Sequence, residues 1–258
     1  MTEASEPSRG EESVHASHYP GAMAHAFVAE LKDRFTLDGP DGNHLARVRR
    51  LRVGEIMTAS TGDGWWRPYT IVGAERGELC LEAATPARLE PKSTLTLTVA
   101  PALISRTRFD AAVVMMVELG VDRIIPLAAQ RCVVEWRGAK ASEACERLRR
   151  LAREAAMQCR RSYLPEILEL ASPCDLAHQP GLVIASASRE AGLATTFAAD
   201  PDLTVATGPE GGFSPDDLAQ FGSFATVWLG PHVLRAETAA VSVVAAFRGS
   251  RLVGRHRE

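Results

Sequence analysis

Hydrophobic positions change their rhythm once along this chain. Before about residue 91 they come in short runs: Ala26-Phe27-Val28, Glu55-Ile56-Met57, Tyr69-Thr70-Ile71-Val72 and Glu78-Leu79-Cys80-Leu81. Each is of strand length, and turns such as Asp38-Gly39-Pro40-Asp41-Gly42, Thr61-Gly62-Asp63-Gly64 and Arg76-Gly77 separate them. Short strands at this spacing predict a small β-barrel. Between the first two strands, 42–51 (GNHLARVRRL) predicts a short helix with a basic face, and Trp65 and Trp66 are expected to pack within the barrel. Residues 86–91 read as a linker.

Beyond the linker, strands alternate with helices. Residues 94–99 (TLTLTV) alternate as a strand does. Phe109, Ala112, Val113, Met116 and Val117 then fall on one helical face, and Gly120 ends that helix. Residues 122–127 predict the next strand, and 141–160 a long helix with Leu148, Leu151, Ala152, Ala155 and Ala156 inward. Arg147, Arg149, Arg150 and Arg153 lie on its other face, spaced with Glu143, Glu146 and Glu154 as on a solvated helix. Arginine dominates there, and its planar fork matches phosphate, so an RNA-facing patch is a second reading. Further strands are predicted over 180–186, 203–207 and 225–229, before a final helix built on AVSVVAAF. The fold class is α/β: a small β domain followed by a domain with a mostly parallel sheet.

The last of these segments carry the candidate chemistry. Strand 203–207 runs into Gly208-Pro209-Glu210-Gly211-Gly212, where three glycines in five positions permit positive φ and close approach to backbone. Ser214, Pro215 and Asp217 then start a helix. A second strand end follows, at Gly230-Pro231. Ligands of open α/β sheets bind at such carboxyl ends. GPEGG lacks the Lys-Ser/Thr of a Walker loop and the GxGxxG spacing of a dinucleotide fold. By themselves these residues define a backbone-lined pocket for a small, adenosine-like ligand.

Composition narrows the setting. The chain has 258 residues, enough for one large domain or two moderate ones, with a net charge of −3 that argues against indiscriminate coating of nucleic acid. Five widely spaced cysteines without a CxxC pair make a zinc site or disulfide framework unexpected and point to a reducing cytosol. No apolar run reaches the length of a membrane span. Residues 1–23, rich in Glu, Ser, Pro and Gly, are expected to be a disordered extension; His15 and His18 within it belong to a solvated tail. Residues 250–258 form a basic tail.

GPEGGFSPDDL (208–218) followed by LGPHVLRAETA (229–239) resembles the ribosomal RNA small subunit methyltransferase E family, of the SPOUT class of S-adenosylmethionine-dependent methyltransferases. NHLARVRR (43–50), VELGVDRIIPLAAQRCVVEW (117–136) and REAAMQCRRSYLPEI (153–167) are similar to further family segments, in the same order. The resemblance implies a PUA-like RNA-binding barrel over 24–88 and a SPOUT methyltransferase domain with a deep trefoil knot over 92–249. It implies S-adenosylmethionine bound by Thr207, Gly208, Glu210, Gly211, Gly212, Leu229, Gly230, Pro231, Leu234, Thr238 and Ala239.

The implied reaction methylates the imide nitrogen of a uridine in 16S rRNA, giving 3-methyluridine, within the small ribosomal subunit or its precursor. A homodimer in the cytoplasm is the expected form. Arg235 is the candidate for stabilising developing negative charge, and Glu237 for holding Arg235 or accepting a proton. His44, Arg47, Arg50, Arg106, Arg108, Arg160 and Arg161 are the candidate RNA contacts. Many family members have Lys where this chain has Ser105 and Met115, and Leu at Arg49; Arg49, Arg106 and Arg108 are the available replacements. Methylation of a tRNA ribose 2′-hydroxyl is an alternative, as is a non-catalytic RNA-binding assembly factor.

Overall fold

The computed structural model describes residues 16, 19–75, 77–187, 192–193 and 202–254. Most of the expected N-terminal extension lies outside them, with His15 and His18, as does the end of the basic tail from 255 on. The described chain forms two compact units. Residues up to Lys92, together with Met157–Tyr163, make the first; Ser93–Ala156 and the residues from Leu164 onward make the second.

The first unit is a six-stranded sheet of β1 (Ala22–Phe27), β2 (Arg34–Leu37), β3 (Ile56–Ser60), β4 (Trp65–Glu75), β5 (Glu78–Ala83) and β6 (Arg88–Leu89). The order is β1-β3-β4-β5-β2, with β6 on β4; only β1 and β3 pair in parallel. Met57, Tyr69, Ile71, Leu79 and Leu81 form its core. Two expectations change here. Residues 88–89 are not free linker, because they pair with Trp65 and Trp66. Alternation along β4 buries Trp66 completely while leaving Trp65 45% exposed, so only one of the two packs in the core.

The basic segment is also built differently from the expected single helix. A short helix α1 (Gly39–Asn43) passes into a π-helical turn, His44–Val48. Gly42 has no substitute there, because a Cβ would lie 2.2 Å from the Leu37 carbonyl oxygen. The segment Met157–Tyr163 joins this unit through hydrogen bonds. Ser60 Oγ and Gly64 N donate to the Ser162 carbonyl, at 2.6 and 3.2 Å, and Ser162 Oγ reaches Glu90 Oε2 at 2.7 Å.

The second unit holds β7 (Thr96–Pro101), β8 (Arg123–Ile124), β9 (Glu166–Ile167), β10 (Leu182–Ser186), β11 (Gly192–Leu193), β12 (Asp202–Thr207) and β13 (Ala225–Trp228). They form one seven-stranded sheet in the order β11-β13-β10-β12-β7-β8-β9, and every adjacent pair is parallel. β8 is shorter than the predicted 122–127. Pro126 has no N–H for the ladder, which resumes as isolated bridges of Leu127 with Ala102 and Ala171.

Helix α2 (Arg106–Glu118) buries the five residues its spacing predicts and leaves Met115 exposed. Helix α3 (Ala139–Gln158) buries Cys145 where Leu151 was expected, with Leu151 half-buried. After the short helix α4 (Pro173–Leu176) come α5 (Pro215–Phe221) and α6 (Ala236–Gly254). Helix α6 packs on α2, β7 and β12, and its backbone takes in 250–254, the start of the expected tail. Among the described residues no helix is long and apolar enough to cross a membrane.

The start of α5 is fixed by a reciprocal cap. Ser214 Oγ accepts from Asp217 N at 3.0 Å, and Asp217 Oδ2 accepts from Ser214 N at 2.9 Å. Asp217 is 2% exposed, and its Oδ1 also accepts from Gln130 N at 3.0 Å, tying the loop after β8 to this helix. Asp217→Ala keeps the Ser214 Oγ bond to the N–H of residue 217 but removes the carboxylate half of the reciprocal cap, leaving the Ser214 and Gln130 backbone donors unpaired. It is expected to cost about 2–3 kcal/mol in urea unfolding, with the fold retained.

Candidate functional site: a glycine-walled pocket at three strand ends

The parallel neighbours β13, β10 and β12 end side by side, and the chain leaving them encloses a cavity of about 330 Å³. Its walls are Ala185 and Ser186 at the end of β10 with Ala187 just after it, the turn 208–213 after β12, and Leu229, Gly230, His232, Val233 and Leu234 after β13. Ala236 and Ala239, in the first turn of α6, close it. The lining is mostly apolar or bare backbone, the usual character of a small-molecule site. Within the first turn only Gly212 uses a positive φ, +67°. At Gly208 φ is not positive, and a Cβ would lie 3.4 Å from both Gly212 Cα and Phe213 N, an ordinary contact, so what its glycine supplies is bare backbone on the cavity wall.

Three sets of contacts hold these walls. Phe213 stacks edge-on against Phe221 at 5.0 Å, and Phe221 against Phe224 at 6.2 Å, anchoring the turn to α5 and the core. Arg131 donates from Nη1 to the Gly211 carbonyl at 2.9 Å. Arg108, in the first turn of α2, donates to Glu210 Oε1 at 2.5 Å and pairs with Glu237 Oε2 at 3.5 Å. Near the same loop, burial pushes the Cys132 thiol up, so it stays protonated and is no thiolate nucleophile.

Of the residues expected to hold a cofactor, Gly208, Glu210, Gly211, Gly212, Leu229, Gly230, Leu234 and Ala239 line the cavity. Thr207, Pro231 and Thr238 do not. Thr207 is 1% exposed at the end of β12, with its Oγ1 unpaired by hydrogen bonds. Helical spacing explains Thr238: Ala236 and Ala239 face the cavity at i and i+3, which turns the residues between them away. Arg235 and Glu237 are likewise absent from the lining. Arg235 is exposed and has no ion-pair partner among the described residues. The expected Glu237–Arg235 pair is replaced by Glu237–Arg108.

The RNA candidates are spread over both units. In the first, His44, Arg47 and Arg50 are exposed on or after the π-helical turn, and Arg50 has a positive φ of 55°. Arg160, φ 60°, and Arg161 lie in the Met157–Tyr163 segment. Arg49 donates to the Met23 carbonyl at 3.2 Å. In the second unit, Arg106 lies 3.8 Å from Asp110 and Arg108 is committed to two carboxylates. On α3, Arg147 pairs with Asp110 of α2 and Arg149 with Glu169 after β9, carboxylates off the helix rather than the Glu143, Glu146 and Glu154 of the solvated-helix reading; Arg150 is exposed.

Ala185, Ser186, Ala187, Pro209, Phe213, His232, Val233 and Ala236 line the cavity without having been singled out. Most flank residues that were, and the motif itself held the signal for them. Ala185–Ala187 are different: they enter only because β10 lies between β12 and β13, an order no local pattern encodes.

The two units also match known families separately. The RNA methyltransferase domain model matches residues 91–248, and the RNA methyltransferase PUA domain model residues 37–83. The ribosomal RNA small subunit methyltransferase E of Mycobacterium bovis is 33% identical over 222 residues, 81% of this chain and 84% of that one. That of Rickettsia conorii is 32% identical over 179 residues, 66% of this chain and 69% of that one. The crystal structure of the Neisseria gonorrhoeae ribosomal RNA small subunit methyltransferase E bound to S-adenosyl methionine has 27% identity and a TM-score of 0.77, covering 88% of this chain and 97% of that one. The chain belongs to the ribosomal RNA small subunit methyltransferase E family.

Proposed function

We propose that the cavity at the three strand ends is an S-adenosylmethionine site. From it the protein methylates the imide nitrogen of a uridine in 16S rRNA, giving 3-methyluridine. The observation that carries this reading is a cavity walled by Gly208, Gly211 and Gly212, in a chain whose Neisseria relative binds S-adenosyl methionine. The lining suits that ligand. Bare glycine backbone admits a flat ring closely, while Phe213, Leu229 and Leu234 supply apolar contact.

Bound there, S-adenosylmethionine supplies an already activated methyl group. The protein has then to align the uracil nitrogen for in-line attack and to exclude water. The apolar lining serves the second task. For the first, the uridine must be unpaired or swung out, since its imide nitrogen lies on the pairing edge. Arg235, exposed just before α6, stands in sequence between the lining residues Leu234 and Ala236 and meets the uracil once its imide nitrogen, on the swung-out base, has released its proton to bulk solvent outside the pocket. Its charge stabilises the negative charge that spreads onto the carbonyl oxygens.

The rRNA substrate would be held by the basic residues of the PUA unit, His44, Arg47, Arg50, Arg160 and Arg161, with Arg106 on α2. The working form is a homodimer in the cytoplasm, acting on the small subunit or its precursor. Val233, an 89% exposed apolar residue at the cavity, is in place to be covered by a second copy. The chain leaves β13 on the far side of β10 and reaches α6 against β7, a path that supports the trefoil knot of the SPOUT class.

Two outcomes test this reading. Mass-spectrometric mapping of 16S rRNA is expected to find one 3-methyluridine that vanishes when the gene is deleted and returns with the wild-type gene. An unchanged 16S rRNA, with a tRNA ribose methyl lost instead, would refute the substrate. Arg235→Ala is expected to lower kcat about 100-fold or more in methyl transfer, while S-adenosylmethionine affinity stays within about twofold. Undiminished turnover would remove Arg235 from the mechanism.

A further inference from the structure

Arg108 spans the two walls of the pocket rather than the space outside it. Its Nη2 donates to Glu210 Oε1 at 2.5 Å, its Nη1 lies 3.5 Å from Glu237 Oε2, and its Nε donates to Ser105 Oγ at 3.0 Å. Glu210 belongs to the turn after β12 and itself lines the cavity. Glu237 belongs to the first turn of α6, beside the lining residue Ala236. The guanidinium thus connects three segments far apart in sequence: the start of α2, the glycine turn and the start of α6. A planar fork presents donors along separate edges and so reaches acceptors on three different segments, whereas an ammonium gathers its three donors on one atom.

We propose that Arg108 is a positioning residue, a latch that holds the glycine turn against the start of α6 so that the methyl-donor pocket is formed before its ligand arrives. This rests on the S-adenosylmethionine reading of the cavity. Without the guanidinium, Glu210 and Glu237 are two like charges at the rim with no common cation. Glu237 keeps the favourable field of the α6 N-terminus, but Glu210, on a turn, has no such support. The two walls then lose their link, and the ligand must order them as it binds, which weakens affinity. The side chains of Arg108 and Glu210 are 37% and 38% exposed, so solvent screens their pair and the effect is moderate rather than absolute. With both Nη groups committed, Arg108 contributes little to phosphate binding, in contrast to exposed arginines such as Arg50 and Arg150.

The test uses the full chain, calorimetry with S-adenosylmethionine, filter binding to a 16S rRNA transcript, and steady-state methyl transfer. Arg108→Ala is expected to raise the S-adenosylmethionine Kd and KM together, roughly 5- to 10-fold, with kcat and RNA affinity within about twofold. Arg108→Lys, able to reach one carboxylate at a time, is expected to fall between. Glu237→Gln is expected to weaken S-adenosylmethionine binding in the wild-type background, with little further effect beside Arg108→Ala. Unchanged S-adenosylmethionine affinity in Arg108→Ala overturns the latch. A loss of RNA affinity equal to or larger than the loss of S-adenosylmethionine affinity also overturns it and makes Arg108 a phosphate contact. Circular dichroism checks the fold; should the alanine variant unfold, the lysine variant decides, and wild-type affinity there overturns the latch. Failure of the wild-type chain to bind S-adenosylmethionine is a separate result, which removes the pocket reading itself.

Discussion

Parallel pairing of β13, β10 and β12 is the constraint on which the site depends. Because the three strands are adjacent and point the same way, their carboxyl ends arrive at one edge of the sheet. Every cavity wall is one of those strand ends, the chain that leaves it, or the helix start that follows. The pairing registers fix the relative heights: Ile184 lies opposite Ala206 on one side and Thr226 on the other. A shift of one residue would move the glycine turn by a strand rise of about 3.3 Å and alternate its facing. The strands themselves are short, and buried residues such as Leu203, Val205 and Val227 hold the pairing.

On that frame the loops are fastened by polar contacts, a buried one at Asp217 and a solvent-exposed one at Arg131. Asp217 serves two loops with one carboxylate, and Arg131 holds the Gly211 carbonyl. Phe213 carries the end of the turn into the aromatic cluster with Phe221 and Phe224. The glycines leave the backbone open while their neighbours keep it still. Openness with rigidity is what a preorganised small-ligand site requires.

The sequence made the larger architecture readable because period and punctuation were clear. Spacing alone places five residues of α2 in the core, and all five are buried. The strands at 203–207 and 225–229 and the capped helix between them lie close to where their patterns place them. What escaped was non-local or too short. In β2, RFTL, only Leu37 is fully buried, so no run announces the strand. β6 is two residues held by pairing with Trp65 and Trp66. Met157–Tyr163 reads as the end of a helix and its turn, yet it belongs to the first unit because Ser60, Gly64 and Glu90 hydrogen-bond to it. The partner of Glu237 could not be read at all, since Arg108 lies 129 residues away. Within the pocket, the motif named the two glycine turns, but helical phase decided that Ala236 and Ala239 face inward while Arg235 and Glu237 do not line it.

That the glycine turn forms the methyl-donor pocket is tested most directly by calorimetric titration of S-adenosylmethionine into the wild-type chain and into Gly211→Val. Gly211 lines the cavity, has an ordinary backbone conformation and has only the Arg131 side chain near its Cβ position, at 3.4 Å. Valine there is therefore expected to leave the fold intact and project into the ligand's space. Saturable binding by the wild-type protein, lost or weakened at least about 100-fold in Gly211→Val, is the expected result, of the order that overfilling a close-packed site costs. Wild-type affinity retained by Gly211→Val would place the methyl donor elsewhere in the molecule.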